Sequence, residues 1–271
     1  MREKLSRRQI IKDKKAASPA ISMVIITAAT VLLVLVAGNF AVTVLDRQQA
    51  ATEFNSVQKS ILALDDAIRD VAWKEGASRS VRFATSRGSF QTNTTTRPIS
   101  ITFDDYPVGD PIQSSVIKYF MSDSYVALES EQFDIIGDDN PAVSSISASL
   151  GQVSLEHESG FASISLSYRL RVSNEGLYEI GDDSTDSVNY VNIMIIELSC
   201  ADLVGATGDF DMIVRNMGLD TKYYNFPYTS AGAHEIDVFV DGSESPFPVS
   251  INLGAGQTTV NLIVSKVSVS A

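Results

Sequence analysis

Between Pro19 and Leu45 the chain runs for 27 residues without a charged side chain. As an α-helix at ~1.5 Å per residue this run reaches about 40 Å, more than the ~30 Å of a bilayer's hydrocarbon core. A cleavable export signal has a shorter apolar stretch, about 7–15 residues, closed by small residues at the cut. Ala37 and Gly38 are small, but Asn39 and Phe40 behind them break that pattern. The run therefore reads as a membrane-crossing helix, with Ile21, Val24, Ile25, Leu32, Leu35 and Phe40 as candidate lipid-facing and assembly residues.

Charge is divided across this run. Residues 1–16 hold seven Lys or Arg against Glu3 and Asp13, a net of +5, so a total of −12 leaves −17 for the rest. Basic residues on one flank hold that flank in the cytoplasm, which places the acidic bulk outside as a single-pass protein. An acidic surface repels phosphate backbones, so nucleic acid is not an expected partner. Membrane lipid is. The lone Cys200 allows no intrachain disulfide and reads as a small buried side chain.

Immediately before the apolar run the charges stop at Lys15, followed by Ala16, Ala17, Ser18 and Pro19. Over roughly its first 75 residues the chain resembles the precursors of archaeal type IV pilins and archaellins, which carry class III signal peptides. The "SPAI" of 18–21 is similar to the "SPVI" start common among archaeal pilins. The resemblance implies a prepilin-type leader peptidase that recognises Lys15 and Ala16 and cuts before Ala17, releasing 1–16 as a leader. It also implies assembly with copies of itself or related pilins. One departure stands out: the glutamate that many bacterial pilins carry near the new N-terminus falls on Ile21 here.

Beyond Asp46 the apolar residues Phe54, Val57, Ile61, Leu64, Ile68 and Val71 recur in steps of three and four, the spacing of one helical stripe. Gln58, Lys59, Asp65, Asp66, Arg69 and Asp70 lie between them and are assigned to a wet face. No Pro or Gly interrupts 46–75, and Gly76 is a helix stop. One helix is predicted over about 18–75, near 85 Å at the helical rise, with 17–45 apolar all round and 46–75 amphipathic. A two-stranded coiled coil or docking onto the following domain would each use the stripe.

From 77 to 271 the period changes to two. "FASISLSYRLRVS" at 161–173 is the clearest strand; "PISITF" at 98–103 and "HEIDVFVDG" at 234–242 alternate similarly, and "YVNIMIIEL" at 190–198 reads as a central strand. "SRGSF" at 86–90 predicts a turn that brings a first hairpin onto the stripe, and "VSINLGAGQTTVNLIV" a hairpin about Gly254 and Gly256. The expected fold class is α+β, a long N-terminal helix followed by an antiparallel, immunoglobulin-like β-sandwich ectodomain. "IGDDNP" at 136–141 allows a split into two subdomains near 137–141.

Groups for chemistry are sparse. His157 and His234 show no metal-ligand spacing and read as surface strand residues. Asp182, Ser184 and Asp186 alternate as in a calcium loop, without its central glycine or terminal Glu. No phosphate loop, serine elbow or cysteine cluster occurs, so neither an enzyme nor a cofactor is expected. Asn93 opens an Asn-Thr-Thr glycosylation acceptor. The leading expectation is a surface filament subunit for adhesion or motility. The alternative is a permanently anchored β-domain that binds a surface-layer or envelope protein.

Overall fold

The computed structural model describes residues 3–91, 96–126, 132–180, 187–201 and 206–271, with the backbone alone at 3–20, 96, 201 and 228. One helix, α1 (Glu3–Ala72), opens the chain. The strands follow as β1 (Ser78–Thr85), β2 (Ser89–Gln91), β3 (Thr96–Phe103), β4 (Tyr106–Pro107), β5 (Ile112–Ser115), β6 (Ile117–Ser122), β7 (Gln132–Ile136) and β8 (Ala142–Val143). They continue as β9 (Gly151–Glu158), β10 (Phe161–Tyr168), β11 (Leu170–Glu179), β12 (Ser187–Ala201), β13 (Gly208–Thr229), β14 (Gly232–Val240), β15 (Phe247–Leu253) and β16 (Gly256–Ser270). The layout is α+β, a long apolar N-terminal helix and then a strand-rich domain.

Two compact units divide the chain, Met1–Gln49 and Ala50–Ala271. The first is helical from Glu3 onward, so the basic residues before the apolar run are helical too. Its Arg, Lys, Glu and Gln are good helix formers, which explains a start well before residue 18. At the other end α1 stops at Ala72, and Lys74 N–H turns back to the Val71 carbonyl at 3.0 Å. Gly76, at φ 72°, takes the left-handed conformation that completes the exit.

In the second unit a central sheet has the order β1-β13-β16-β12-β11-β8. Its neighbours are antiparallel apart from β12 with β16 and β11 with β8. A second sheet runs β2-β6-β10-β9-β7, and a third β15-β14-β3-β4 with β5 also on β3.

These sheets enclose two interiors. The first gathers the α1 stripe with Phe83, Phe90, Ile117, Tyr119, Ile164 and Leu166, and the second gathers Ile99, Ile101, Phe103, Ile236 and Val238. Both draw on the same long strands. On β12, Ile196 and Leu198 serve the first interior and Ile193 and Ile195 the second; on β16, Val267 and Val269 serve the first and Val260, Leu262 and Val264 the second. Because alternate residues of a strand point to opposite faces, the two interiors lie on opposite faces of the central sheet, towards different ends of its strands.

Three expected connections differ. The stretch 161–173 is not one strand: Arg169 separates β10 in the second sheet from β11 in the central sheet. Its N–H bonds to the Leu150 carbonyl at 3.0 Å. The alternation runs unbroken across the switch, with Ile164, Leu166 and Tyr168 in the first interior and Leu170 and Val172 in the second. Residues 86–88 also pass between sheets, since β1 and β2 do not pair. Likewise Gly254 and Ala255 carry the chain from β15 to β16 in a different sheet, and Asn189 clamps the crossing: its Nδ2 donates to the Gly254 carbonyl at 2.9 Å and its Oδ1 accepts Gly254 N–H at 3.0 Å. A turn and a sheet crossing need the same permissive residues, so composition does not separate them.

Candidate functional site

Through 21–45 the apolar side chains of α1 project all round the helix, and Phe40 is 71% exposed. The segment is long and apolar enough to cross a membrane. Its threonines are already satisfied: Thr27 Oγ1 donates to the Met23 carbonyl, Thr30 to Ile26 and Thr43 to Asn39, at 2.9, 2.9 and 3.0 Å. Hydrocarbon offers no partner for a free hydroxyl or peptide group, and these contacts leave the threonines needing none. Ile21, Val24, Ile25, Leu32, Leu35 and Phe40 all lie on this exposed surface. Lys15, Ala16 and Ala17 lie within α1, where only the backbone is described.

The part of α1 in the second unit behaves differently. Phe54, Val57, Ile61, Leu64, Ile68 and Val71 are all buried in the first interior, joined by Ala50, Ala67 and Ala72. The stripe thus docks onto the unit's own sheets. Each large apolar side chain so buried contributes about 2 kcal/mol.

Polar contacts set the register of this docking. Glu53 lies over residues 86–88, and its Oε1 accepts N–H from Ser86, Arg87 and Gly88 at 2.8, 3.0 and 3.2 Å. Ser86 Oγ donates to Oε2 at 2.6 Å and the Tyr119 hydroxyl to Oε1 at 2.9 Å. Burial alone would raise the Glu53 pKa, but the Ser86 hydroxyl and the three backbone N–H groups outweigh it and hold the carboxyl at about 2. A Cβ at Gly88 would overlap the Tyr119 hydroxyl, so the cradle needs glycine there.

Asp65 corrects the sequence assignment. Placed with the wet face by its charge, it is 0% exposed. It follows Leu64 around the helix and meets the Tyr168 hydroxyl at 2.8 Å and Arg69 Nε at 3.0 Å. Gly151 opposite leaves it room, since any Cβ there would strike the carboxylate. Burial pushes the Asp65 carboxyl above its usual range, against the pull of the Arg69 charge and the Tyr168 hydroxyl.

At the end of α1 the terminal carbonyls receive partners from the central sheet. Asn216 Nδ2 donates to the carbonyls of Val71 at 3.1 Å and Ala72 at 2.6 Å, and Ser265 Oγ also donates to Ala72. Asn216 Oδ1 in turn accepts Gly218 N–H at 2.7 Å across a β-bulge. Helix ends leave such carbonyls without intrahelical partners, and here a distant amide joins Lys74 N–H on Val71 and Ser265 on Ala72.

The other singled-out residues are scattered. His157 faces Asp123 at 3.6 Å in the second sheet's neighbourhood, while His234 bonds Asp104 Oδ2 at 2.6 Å and the Ser230 carbonyl at 2.8 Å on β14. His234 is therefore held by two partners instead of standing free on a strand surface. Cys200 is partly buried, and burial pushes its thiol up to about 12. Asn93 and the calcium-like stretch with Asp182, Ser184 and Asp186 lie outside the described residues. Neither a known protein family, nor a characterised protein, nor a solved structure matches the chain.

Proposed function

We propose that the chain is a surface filament subunit similar to archaeal type IV pilins and archaellins. On this reading the apolar part of α1 holds the protein in the membrane with its basic end in the cytoplasm. A leader peptidase removes 1–16, and the freed helix packs against copies of itself while the β-domain stays outside. The observation that carries the reading is the contrast within α1: apolar side chains exposed all round with hydroxyls internally bonded at 21–45, then a stripe buried at 54–71. The exposed surface suits lipid and sister helices alike. In lipid, close packing and not the hydrophobic effect drives helix association; where water would otherwise touch the helix, covering it gains about 25 cal/mol per Å².

Mass spectrometry of the protein from its own cells tests the first step. A chain beginning at Ala17 is expected, and an intact leader overturns the filament reading in favour of a permanently anchored β-domain. Lys15→Gln and Ala16→Leu are each expected to block processing while leaving membrane insertion intact. Filaments at normal abundance in sheared surface material from either variant, seen by electron microscopy with the leader still attached, would contradict it.

A further inference from the structure

β13 is 22 residues long but has a strand on both edges only over Ile213–Arg215. β1 pairs with it from Gly208 to Arg215, and β16 follows its opposite edge from Ile213 to Thr229. Past the bulge between Asn216 and Gly218, no strand among the described residues takes up the outer edge. An open edge offers a row of N–H and C=O groups to any extended chain.

The side chains on this edge specify a partner. Leu219 and Tyr223, on one face of the strand, are 49% and 66% exposed, and Asp220 and Lys222 occupy the other face. Laid antiparallel on a copy of itself with Thr221 opposite Thr221, the stretch sets Asp220 opposite the second copy's Lys222, and Lys222 opposite its Asp220. Leu219 faces Tyr223 in the same exchange. Opposite charges and apolar pairs directly across are the favourable combinations in an antiparallel sheet, and like charges the unfavourable ones. Moving the axis to Asp220 or to Lys222 sets two like charges face to face, so both neighbouring registers are disfavoured, and the axis at Thr221 pairs both charges with their opposites. Asp220 also holds Lys266 of its own sheet at 3.0 Å, which would place each carboxylate between two ammonium groups. Pro227 has no N–H to give and ends the usable edge.

We propose that the outer edge of β13 over 218–224 is a self-recognition strand, pairing antiparallel with the same strand of a second copy about a two-fold axis at Thr221 and joining two central sheets into one. A two-fold contact closes on itself and does not propagate. It links β-domains in pairs, whether they belong to neighbouring filaments or to single anchored chains, and it does not depend on the filament reading.

The test uses the full chain carrying Cys200→Ser, in detergent. Directly opposed residues of an antiparallel pair have Cα atoms ~4.5–5.5 Å apart, within disulfide reach. Thr221→Cys is expected to give a disulfide-linked dimer on mild oxidation, and Asn225→Cys, away from the axis, to remain unlinked. In sedimentation, Asp220→Lys and Lys222→Asp are each expected to weaken self-association about tenfold, because like charges then oppose. An equal mixture of the two variants restores it, one chain presenting two cations to two anions on the other. Equal cross-linking at 221 and 225, or a mixture that associates no better than its components, overturns the proposal. Association through the apolar helix would be unchanged by either charge variant, which is also an overturning result.

Discussion

Replacing Asn216 with alanine is expected to lower the stability of the β-domain by about 2–4 kcal/mol, since a buried group left without its hydrogen bond costs about 1–3 kcal/mol and two further bonds to the helix end are lost with it. Asn216 is buried, and its amide serves the carbonyls of Val71 and Ala72 and the N–H of Gly218. Alanine leaves the Gly218 N–H without its partner and loosens the bulge that this bond stabilises, while the Val71 carbonyl keeps Lys74 N–H and the Ala72 carbonyl keeps Ser265. Ser265→Ala is the comparison: the Ala72 carbonyl keeps Asn216, so a loss of about 1 kcal/mol is expected. Denaturant titration of the full chain in detergent, followed through Trp73, reads both. That residue is the only tryptophan and lies just past α1. A loss for Asn216→Ala no larger than that for Ser265→Ala would show that the amide does not hold the helix end.

Glu53→Gln is expected to cost about 2 kcal/mol at neutral pH, with the loss fading in acid. The native carboxyl lies at about 2 against an ordinary 4.5, a gap worth at most about 3.5 kcal/mol at ~1.4 kcal/mol per pKa unit, and partial exposure reduces it. A depressed carboxyl stabilises the folded state fully above its unfolded value, and this contribution disappears as pH falls through the folded value. The difference between wild type and Glu53→Gln is therefore expected to be constant above about pH 5 and to close between about 4.5 and 2. A difference that stays level across that window would mean that the charge of Glu53 plays no part and only its shape matters.

The docking stripe could be read from sequence because its information is local. Six apolar residues at helical spacing force one face inward whatever lies opposite. Glu53 could not be read this way. Its environment is made by three N–H groups more than thirty residues away, and "SRG" looks the same in any loop. Asp65 defies a wet-face assignment because charge is a poor guide to burial where a buried tyrosine hydroxyl and a half-buried arginine receive it. The sheet switch at Arg169 was hidden by the very regularity that identified the strand: a period of two says that a residue faces inward, but not into which of two interiors. The glycines at 254 and 256 marked a change of direction correctly, yet the next strand joins a different sheet.

Strands that serve one interior with their odd places and another with their even places leave neither interior able to melt alone. Opening the space around Ile236 and Val238 bares Ile193 and Val260 on strands whose far ends still carry Leu198 and Val267, and a strand that frays at one end loosens the ladder at the other. The apparent pair of subdomains thus has one cooperative fate. A substitution tolerated by its immediate surroundings can still be felt on the far side of the sheet, and the seat of α1 is only as firm as a layer of side chains it never touches.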